Sequence, residues 1–585
     1  MTLRWPWIAA FAVFVACIPL FAWDHQFFGD WPNHLAMIGY VGESLKAHAS
    51  LPTTFDTNET VGRATPIFYG NFCLPALGAL SVLVGPRVAL TVAIVGLLLL
   101  QFASVRRLFW DVTRDEAIAC AAAVIATWAI YPLTDLYNRA ALPEFFAITA
   151  LQTGSCLWVF YARSPARRQR ASVFAGLLVT LAAGIHPPTA LFGGLTFAAL
   201  WLASLVWCPE RAILLRRSLA IALAAAVVLA PWLYVVERFS ADLRIVRVKS
   251  PLSIYPGSID AVATRLSALP TSGPPGAVGT PNVDTQISVP FAAAFVLLAV
   301  VALASRARAR RARPDLVFAA LCAAVMCALF RLSTSPSAWD LVPKAFTLIQ
   351  FPCRLTAFIS LAALGALAGV LAALARDDRP VASARSRFVL GAAVVLATLG
   401  VGLKLPRCLE GGSGPDSVVT DYANPPRDWY FGYDDYATPD AFAKLDGAAP
   451  REPVRLTVGA PKNGFGVVGS VHVHAGARTQ ISTNVQAFPW NALTIDGQPV
   501  SREALLSDGG RLAAWIGAGE HEVGYAFRPD RAWSALRVSS FGLLAFWALG
   551  GALGPILARA WARRARSSRP VPGRDAIATR LSRIL

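Results

Sequence analysis

Long apolar runs broken by short arginine-rich segments dominate most of this chain. Trp5–Trp23, Pro86–Ser104, Leu142–Tyr161, Pro188–Val206 and Leu355–Ala375 each approach the roughly 20 apolar residues that a helix needs to cross a bilayer. The pattern predicts helices near 5–23, 86–104, 116–132, 142–161, 171–184, 188–207, 218–236, 289–304, 315–332, 354–375, 387–404 and 538–558, about twelve spans in all. The basic breaks orient them. Arg163, Arg167, Arg168 and Arg170, then Arg306–Arg313, then Arg376–Arg387, then Arg559–Arg569 fall between spans, and short basic loops stay on the cytoplasmic side during insertion. This places both termini inside a bacterial inner membrane, with residues 24–65 and 239–288 as outer loops and 559–585 as a basic inner tail.

Residues 66–84 (PIFYGNFCLPALGALSVLV) are apolar enough to span. A crossing there would put Arg106, Arg107 and Arg114 outside and invert every later basic loop. The segment is therefore expected to lie at the interface or to re-enter, within a transmembrane domain covering 1–404.

The pattern changes over 405–537. Apolar runs shorten, turn residues multiply, and Val454–Val458 and Gln480–Val485 alternate as strands do. Asp496-Gly497 between Leu493–Ile495 and Pro499-Val500 is a hairpin signal. Trp515-Ile516, Gly517–Gly519 and His521–Phe527 read as a second strand pair. A small outer β domain, tethered at both ends by helices, is expected. In contrast, 239–288 holds Pro251, Pro256, Pro270, Pro274 and Pro275 and reads as an irregular loop.

Composition narrows the class. Of 585 residues 55% are hydrophobic and 15% charged, with a mean hydropathy of +0.51, which excludes an ordinary soluble enzyme. The net charge of +18 would suit a nucleic-acid partner, but its positions make it a topological signal, so no nucleic acid is expected. The nine cysteines show no CxxC pair and lie mostly in apolar runs, where cysteine is a small hydrophobe. The first run lacks a small-residue cleavage site and is read as an uncleaved helix.

Candidate chemistry sits at the outer ends of the spans. In GDWPNHL, Pro32 suits a first helical turn, which puts Asp30 at or before the N-cap and His34 one turn on. Such a pair can share a metal ion or a substrate hydroxyl, or serve as a cap and a surface histidine. In DLYNRAALPEFFA, Asp135, Arg139 and Glu144 stand where ionisable groups are costly and hence functional candidates; Arg139 paired with either acid would equally fix the loop. His186 in GIHPPTAL marks an outer turn. In FPCRLTAF, Arg354, with Lys344 upstream, suits a phosphate because its fork matches phosphate oxygens; it also suits snorkelling to head groups.

Taken in order, GDWPNHL, GRATPIFYG, DLYNRAALPEFFA, GIHPPTAL and FPCRLTAF resemble the bacterial integral-membrane family labelled 6-pyruvoyl-tetrahydropterin-synthase-related, close to YfhO-like proteins. AFPWNALTIDGQPV and AWIGAGEHEVGYAF resemble the C-terminal domain of the latter. The layout is similar to GT-C glycosyltransferases. That resemblance implies a sugar transferred from a polyprenyl-phosphate donor to a glycan, lipid or protein acceptor. It implies Asp30 as base or metal contact, a second acid at Asp135 or Glu144, and a divalent cation such as magnesium or manganese as the cofactor class in question. His34 would stand beside the base. Arg139, Arg354, Lys344, Glu144 and His186 would hold the lipid-linked substrate, and Trp490 would meet the acceptor. The first outer loop shows no paired-acid motif. The competing reading is a non-catalytic scaffold or export factor for lipid-linked glycan. A secondary transporter ranks last, because no two halves repeat and the polar residues gather at one face.

Overall fold

The computed structural model describes residues 4–21, 31–57, 59–68, 72–137, 140–243, 313–343, 346, 354–375, 380–409, 437–446, 449–458 and 468–567. Among these, nine helices are long and apolar enough to cross a membrane, and a sheet domain follows them toward the C-terminus. The chain is a polytopic helical membrane protein. The expected span at 289–304 and most of loop 239–288 lie outside the described residues.

The chain begins with α1 (Trp5–Cys17), α2 (Trp31–His48), α3 (Thr65–Phe68) and α4 (Cys73–Val84). Then come α5 (Pro86–Thr113), α6 (Glu116–Thr127), α7 (Ile130–Tyr137), α8 (Leu142–Ala162), α9 (Gln169–Ile185), α10 (Gly194–Trp207) and α11 (Arg211–Phe239). α12 (Arg313–Thr334), α13 (Leu355–Ala375) and α14 (Pro380–Leu409) complete the bundle. α8 and α13 are the innermost, each with 94% of its apolar window buried. Their length and hydropathy alone mark them as spans; only packing makes them central. Gln101 Nε2 donates a hydrogen bond of 2.8 Å to Gln152 Oε1 and ties α5 to α8 within the apolar layer, where side-chain amides act as interhelical links.

One end of the bundle gathers the basic breaks. Asp111, near the end of α5, accepts from Arg163 at 2.8 Å and from Arg168 at 2.6 Å. Arg387 meets Asp115 at 2.7 Å, Arg106 meets Glu116 at 2.6 Å, and the Trp207 indole donates to Asp315. The Arg106 guanidinium also lies 4.5 Å from the centre of the Trp5 ring. Removing Asp111 strips its carboxylate from both Arg163 and Arg168. Asp111→Ala is expected to cost about 3 kcal/mol or more, since an unpaired partly buried charge remains; the loss is read as a lower unfolding temperature in detergent.

α1 starts at that basic end beside Arg106, and α5 ends there. α4, with 12 residues, rises only about 18 Å, short of the roughly 30 Å hydrocarbon core. It lies along α2, with Gly78 and Gly42 giving the close approach: a Cβ on Gly78 would stand 2.3 Å from Val41 Cγ1.

The sheet domain has two layers. β1 (Ala443–Lys444), β2 (Arg451–Val454), β4 (Thr479–Gln486), β7 (Leu506–Asp508) and β8 (Arg511–Ile516) form one, in the order β1-β7-β8-β4-β2. β3 (Val471–Ala475), β5 (Asn491–Ile495), β6 (Gln498–Pro499) and β9 (Gly519–Phe527) form the other, in the order β3-β9-β5-β6. Val454, Ile481 and Leu512 from the first sheet and Val473, Leu493 and Val523 from the second share one core. The Asp496-Gly497 hairpin forms as the sequence indicates, both residues having positive φ (52° and 75°) as its tight turn requires. The strand pair expected across Gly517–Gly519 does not form. β8 pairs with β4 and β7, whereas β9 pairs with β3 and β5. Of that connection only Gly519 has positive φ, so the chain steps between layers instead of reversing within one.

Residues 24–65, expected as an outer loop, instead form α2 over Trp31–His48, and the stretch around Val61 joins the sheet domain. Val61 bridges Val485: its N–H donates to Asn484 O at 2.9 Å, and Gln486 N–H returns to Val61 O at 2.8 Å. Inside this junction Asp56 accepts from Gly62 N–H at 2.6 Å and from the hydroxyls of Thr54 and Tyr40. Burial pushes the Asp56 carboxyl up, and these three donors pull it back only in part. The folded state therefore holds this proton more tightly than the unfolded chain, and stability falls as pH rises above about 4. Across pH 5–8 the unfolding temperature of the wild type is expected to decline more steeply than that of Asp56→Asn; equal slopes would remove Asp56 from the junction's energetics.

Candidate functional site

The site lies at the end of the bundle away from the basic breaks. Glu144 and Arg163 bracket α8, about 28 Å apart along its axis. Pro143 suits the first turn of α8 and sets Glu144 in that turn, where the helix N-terminus favours a carboxylate. α9 stops at His186 because Pro187 pushes the residue before it into extended backbone (φ −140°, ψ 113°). A π-turn over Thr189–Gly193 follows, a distortion frequent at functional sites. Gly193 permits it, since a Cβ there would stand 2.6 Å from Leu151 Cδ2. Arg354 precedes α13 directly.

These elements converge on one carboxylate. Tyr131 Oη donates to Glu144 Oε1 at 2.7 Å, Arg354 Nε stands 3.0 Å from Glu144 Oε2, and His186 Nε2 is 3.9 Å from that same oxygen. His186 Nδ1 is 3.0 Å from Thr189 Oγ1, so the ring is held from both sides. Glu144 is 1% exposed, His186 4% and Arg354 9%. At such burial each interaction gains strength from the low dielectric and becomes costly to break.

Asp135 extends the group. It stands one turn beyond Tyr131 on α7, a spacing that shares a helix face, and is fully buried. The start of α2 docks on the same turn: Trp31 Nε1 donates to Leu136 O at 2.7 Å, and buried His34 lies three residues on, along the same side of the helix. Tyr137 Oη donates to Ala16 O at 2.7 Å and fastens α7 to α1. Between α7 and α8, Ala140 adopts φ 54°, a left-handed conformation that strains a residue with a Cβ.

Of the residues expected from sequence, His34, Asp135, Glu144, His186 and Arg354 are thus brought to one end of the bundle, four of them linked through α7 and Glu144. Asp30, Arg139 and Lys344 lie outside the described residues. Trp490 is corrected. Rather than offering an open ring to a glycan, it is 4% exposed and packed among Phe239, Phe488, Phe527 and Trp533. A stacking platform needs a solvent-open face, and this ring instead seals the sheet domain against α11 and α15 (Arg531–Ser567).

Sequence reasoning assigned no role to Tyr131, Thr189 or Lys404. Tyr131 was findable as a polar aromatic at i−4 from Asp135. Lys404 is the lone charge in the apolar run 388–404 and is fully buried on α14, a placement that marks function in a span. Cys408, four residues on, lies by Tyr137, so Lys404 sits at the same end of the bundle. Among the described residues no three His, Cys, Asp or Glu side chains are grouped as a metal ion would need.

Comparison with protein-family models, curated proteins and solved structures gives no match to this chain.

Proposed function

We propose that this chain is a membrane glycosyltransferase of GT-C type, akin to YfhO-like proteins. It would move a sugar from a polyprenyl-phosphate donor to an envelope glycan, lipid or protein on the outer face of a bacterial inner membrane. What supports the reading is the convergence of Tyr131, Glu144, His186 and Arg354, from separate elements, at the end opposite the basic breaks. Asp30 takes the acceptor hydroxyl proton, and His34 and Asp135 assist in the chemistry. The acceptor oxygen then bonds the anomeric carbon as the bond from that carbon to the phosphate oxygen breaks, with inversion. The leaving lipid phosphate keeps the electron pair, and Arg139, Lys344 and Arg354 stabilise its charge.

A second reading, a scaffold or export factor that binds lipid-linked glycan without chemistry, draws on one observation. Glu144 already accepts from Tyr131 and forms an ion pair with Arg354, an arrangement that a purely structural pair would also show. The two part at Asp30. Envelope-glycan analysis of a deletion strain complemented with Asp30→Ala is expected to show the glycan defect uncorrected. Correction by Asp30→Asn together with failure of Arg354→Gln would favour the scaffold.

A further inference from the structure

A cavity separate from the Glu144 cluster opens where α2, loop 51–55, α4, α11 and α15 meet beneath the sheet domain. It is a partly open cleft rather than a closed chamber, and α11 and α15 form its long sides. Its walls are mostly apolar and include Phe55, Phe72, Trp232, Trp533 and Phe541. Pro231 helps to form it: as an interior residue of α11 it offers no N–H to the preceding turn. Beside it the Ser540 hydroxyl is spent on Val228 O at 2.6 Å.

One cation reaches into this apolar space. Arg537 donates at 3.4 and 3.2 Å to the carbonyls of Leu51 and Pro52, and its guanidinium lies 5.3 Å from the Trp533 ring and 5.9 Å from the Phe541 ring. Among the described residues no carboxylate is within ion-pair reach of it. A partly buried guanidinium whose described partners are all neutral suits an anion. The cavity's two long walls are also the most membrane-exposed helices, since α11 and α15 each have only 11% of their apolar windows buried. A ligand arriving sideways from the bilayer, with a hydrocarbon chain and an anionic head, meets both features. Trp232 and Trp533 are among its lining residues, a residue type that favours the head-group level.

We propose that one acyl chain of an anionic phospholipid lies along this open cleft, between α11 and α15, with its phosphate on Arg537. The lipid would lock loop 51–65, and with it the sheet domain, onto α11 and α15. The site does not depend on glycosyl transfer at the Glu144 cluster.

The test is photocrosslinking of the full-length protein in vesicles of phosphatidylglycerol or phosphatidylcholine, each doped with an acyl-chain diazirine analogue of the same lipid. Labelling is expected on peptides containing 51–55 and 533–541, at least fivefold stronger with phosphatidylglycerol. Arg537→Gln should abolish that preference, and Thr53→Trp, which keeps the cation but fills the cavity, should lower labelling with both lipids. Arg478→Gln, on the sheet domain, should change nothing. Equal labelling by the two lipids in the wild type would overturn the proposal, as would unchanged labelling in Thr53→Trp. So would displacement of the label by polyprenyl phosphate at lower concentration than by phosphatidylglycerol, which would assign the cavity to the isoprenoid instead. If Arg537→Gln does not fold, the lipid preference of the wild type and the Thr53→Trp result decide the matter.

Discussion

Glu144→Ala is expected to destabilise the protein by about 3–5 kcal/mol, because it leaves the Arg354 guanidinium buried without its carboxylate. The same substitution removes the acceptor of the Tyr131 hydroxyl and adds the cost of an unsatisfied donor, about 1–3 kcal/mol. These terms share one site and will not simply add. The informative experiment is therefore a cycle. A double variant Glu144→Met with Arg354→Met removes both charges and replaces them with apolar volume, which is often neutral for stability. Thermal unfolding in detergent should show Glu144→Ala strongly depressed and the double variant largely recovered. If the double variant also restores glycan synthesis in the deletion strain, the pair is structural and the functional reading of Glu144 fails. If stability returns but synthesis does not, the pair serves the chemistry.

Much of this architecture is legible in the sequence because the bilayer enforces simple rules. Spans must be about 20 apolar residues long and basic breaks must share a side; Arg163, Arg168 and Arg387 obey, and their carboxylate partners Asp111 and Asp115 lie on the same end. The Asp496-Gly497 turn is legible for a local reason, since two successive positive φ values demand such residues. What local pattern does not encode is which surfaces meet. Nothing between 49 and 65 alternates strongly enough to announce a strand, because Val61 is fixed by backbone bonds to β4, more than 400 residues away. Trp490 reads as an exposed aromatic in a polar domain until α15 and α11 close over it. The site shows the same division. Glu144, His186 and Arg354 are recognisable singly as costly groups at span ends. Their convergence on one carboxylate, through Tyr131, is a product of packing.

The second large effect is expected at Asp30. General-base catalysis contributes about 10²–10⁴-fold, so Asp30→Ala should lose at least a hundredfold in transfer rate while keeping its fold, since the capping role expected of it from sequence is worth only about 1 kcal/mol. His34→Ala and Asp135→Asn separate the neighbouring roles: loss of transfer with unchanged lipid binding places a residue in the chemistry, whereas loss of both places it in the substrate cavity.

The most direct measurement follows labelled sugar out of the polyprenyl-phosphate pool. Membranes from the deletion strain are loaded with lipid-linked label, supplied with wild-type or Asp30→Ala protein at matched amounts, and extracted over time. The expected result is loss of label from the lipid-phosphate fraction, with its appearance in acceptor, for the wild type and at least a hundredfold slower for Asp30→Ala. Equal rates for the two proteins, or no transfer by the wild type, would contradict a glycosyltransferase with Asp30 as its base.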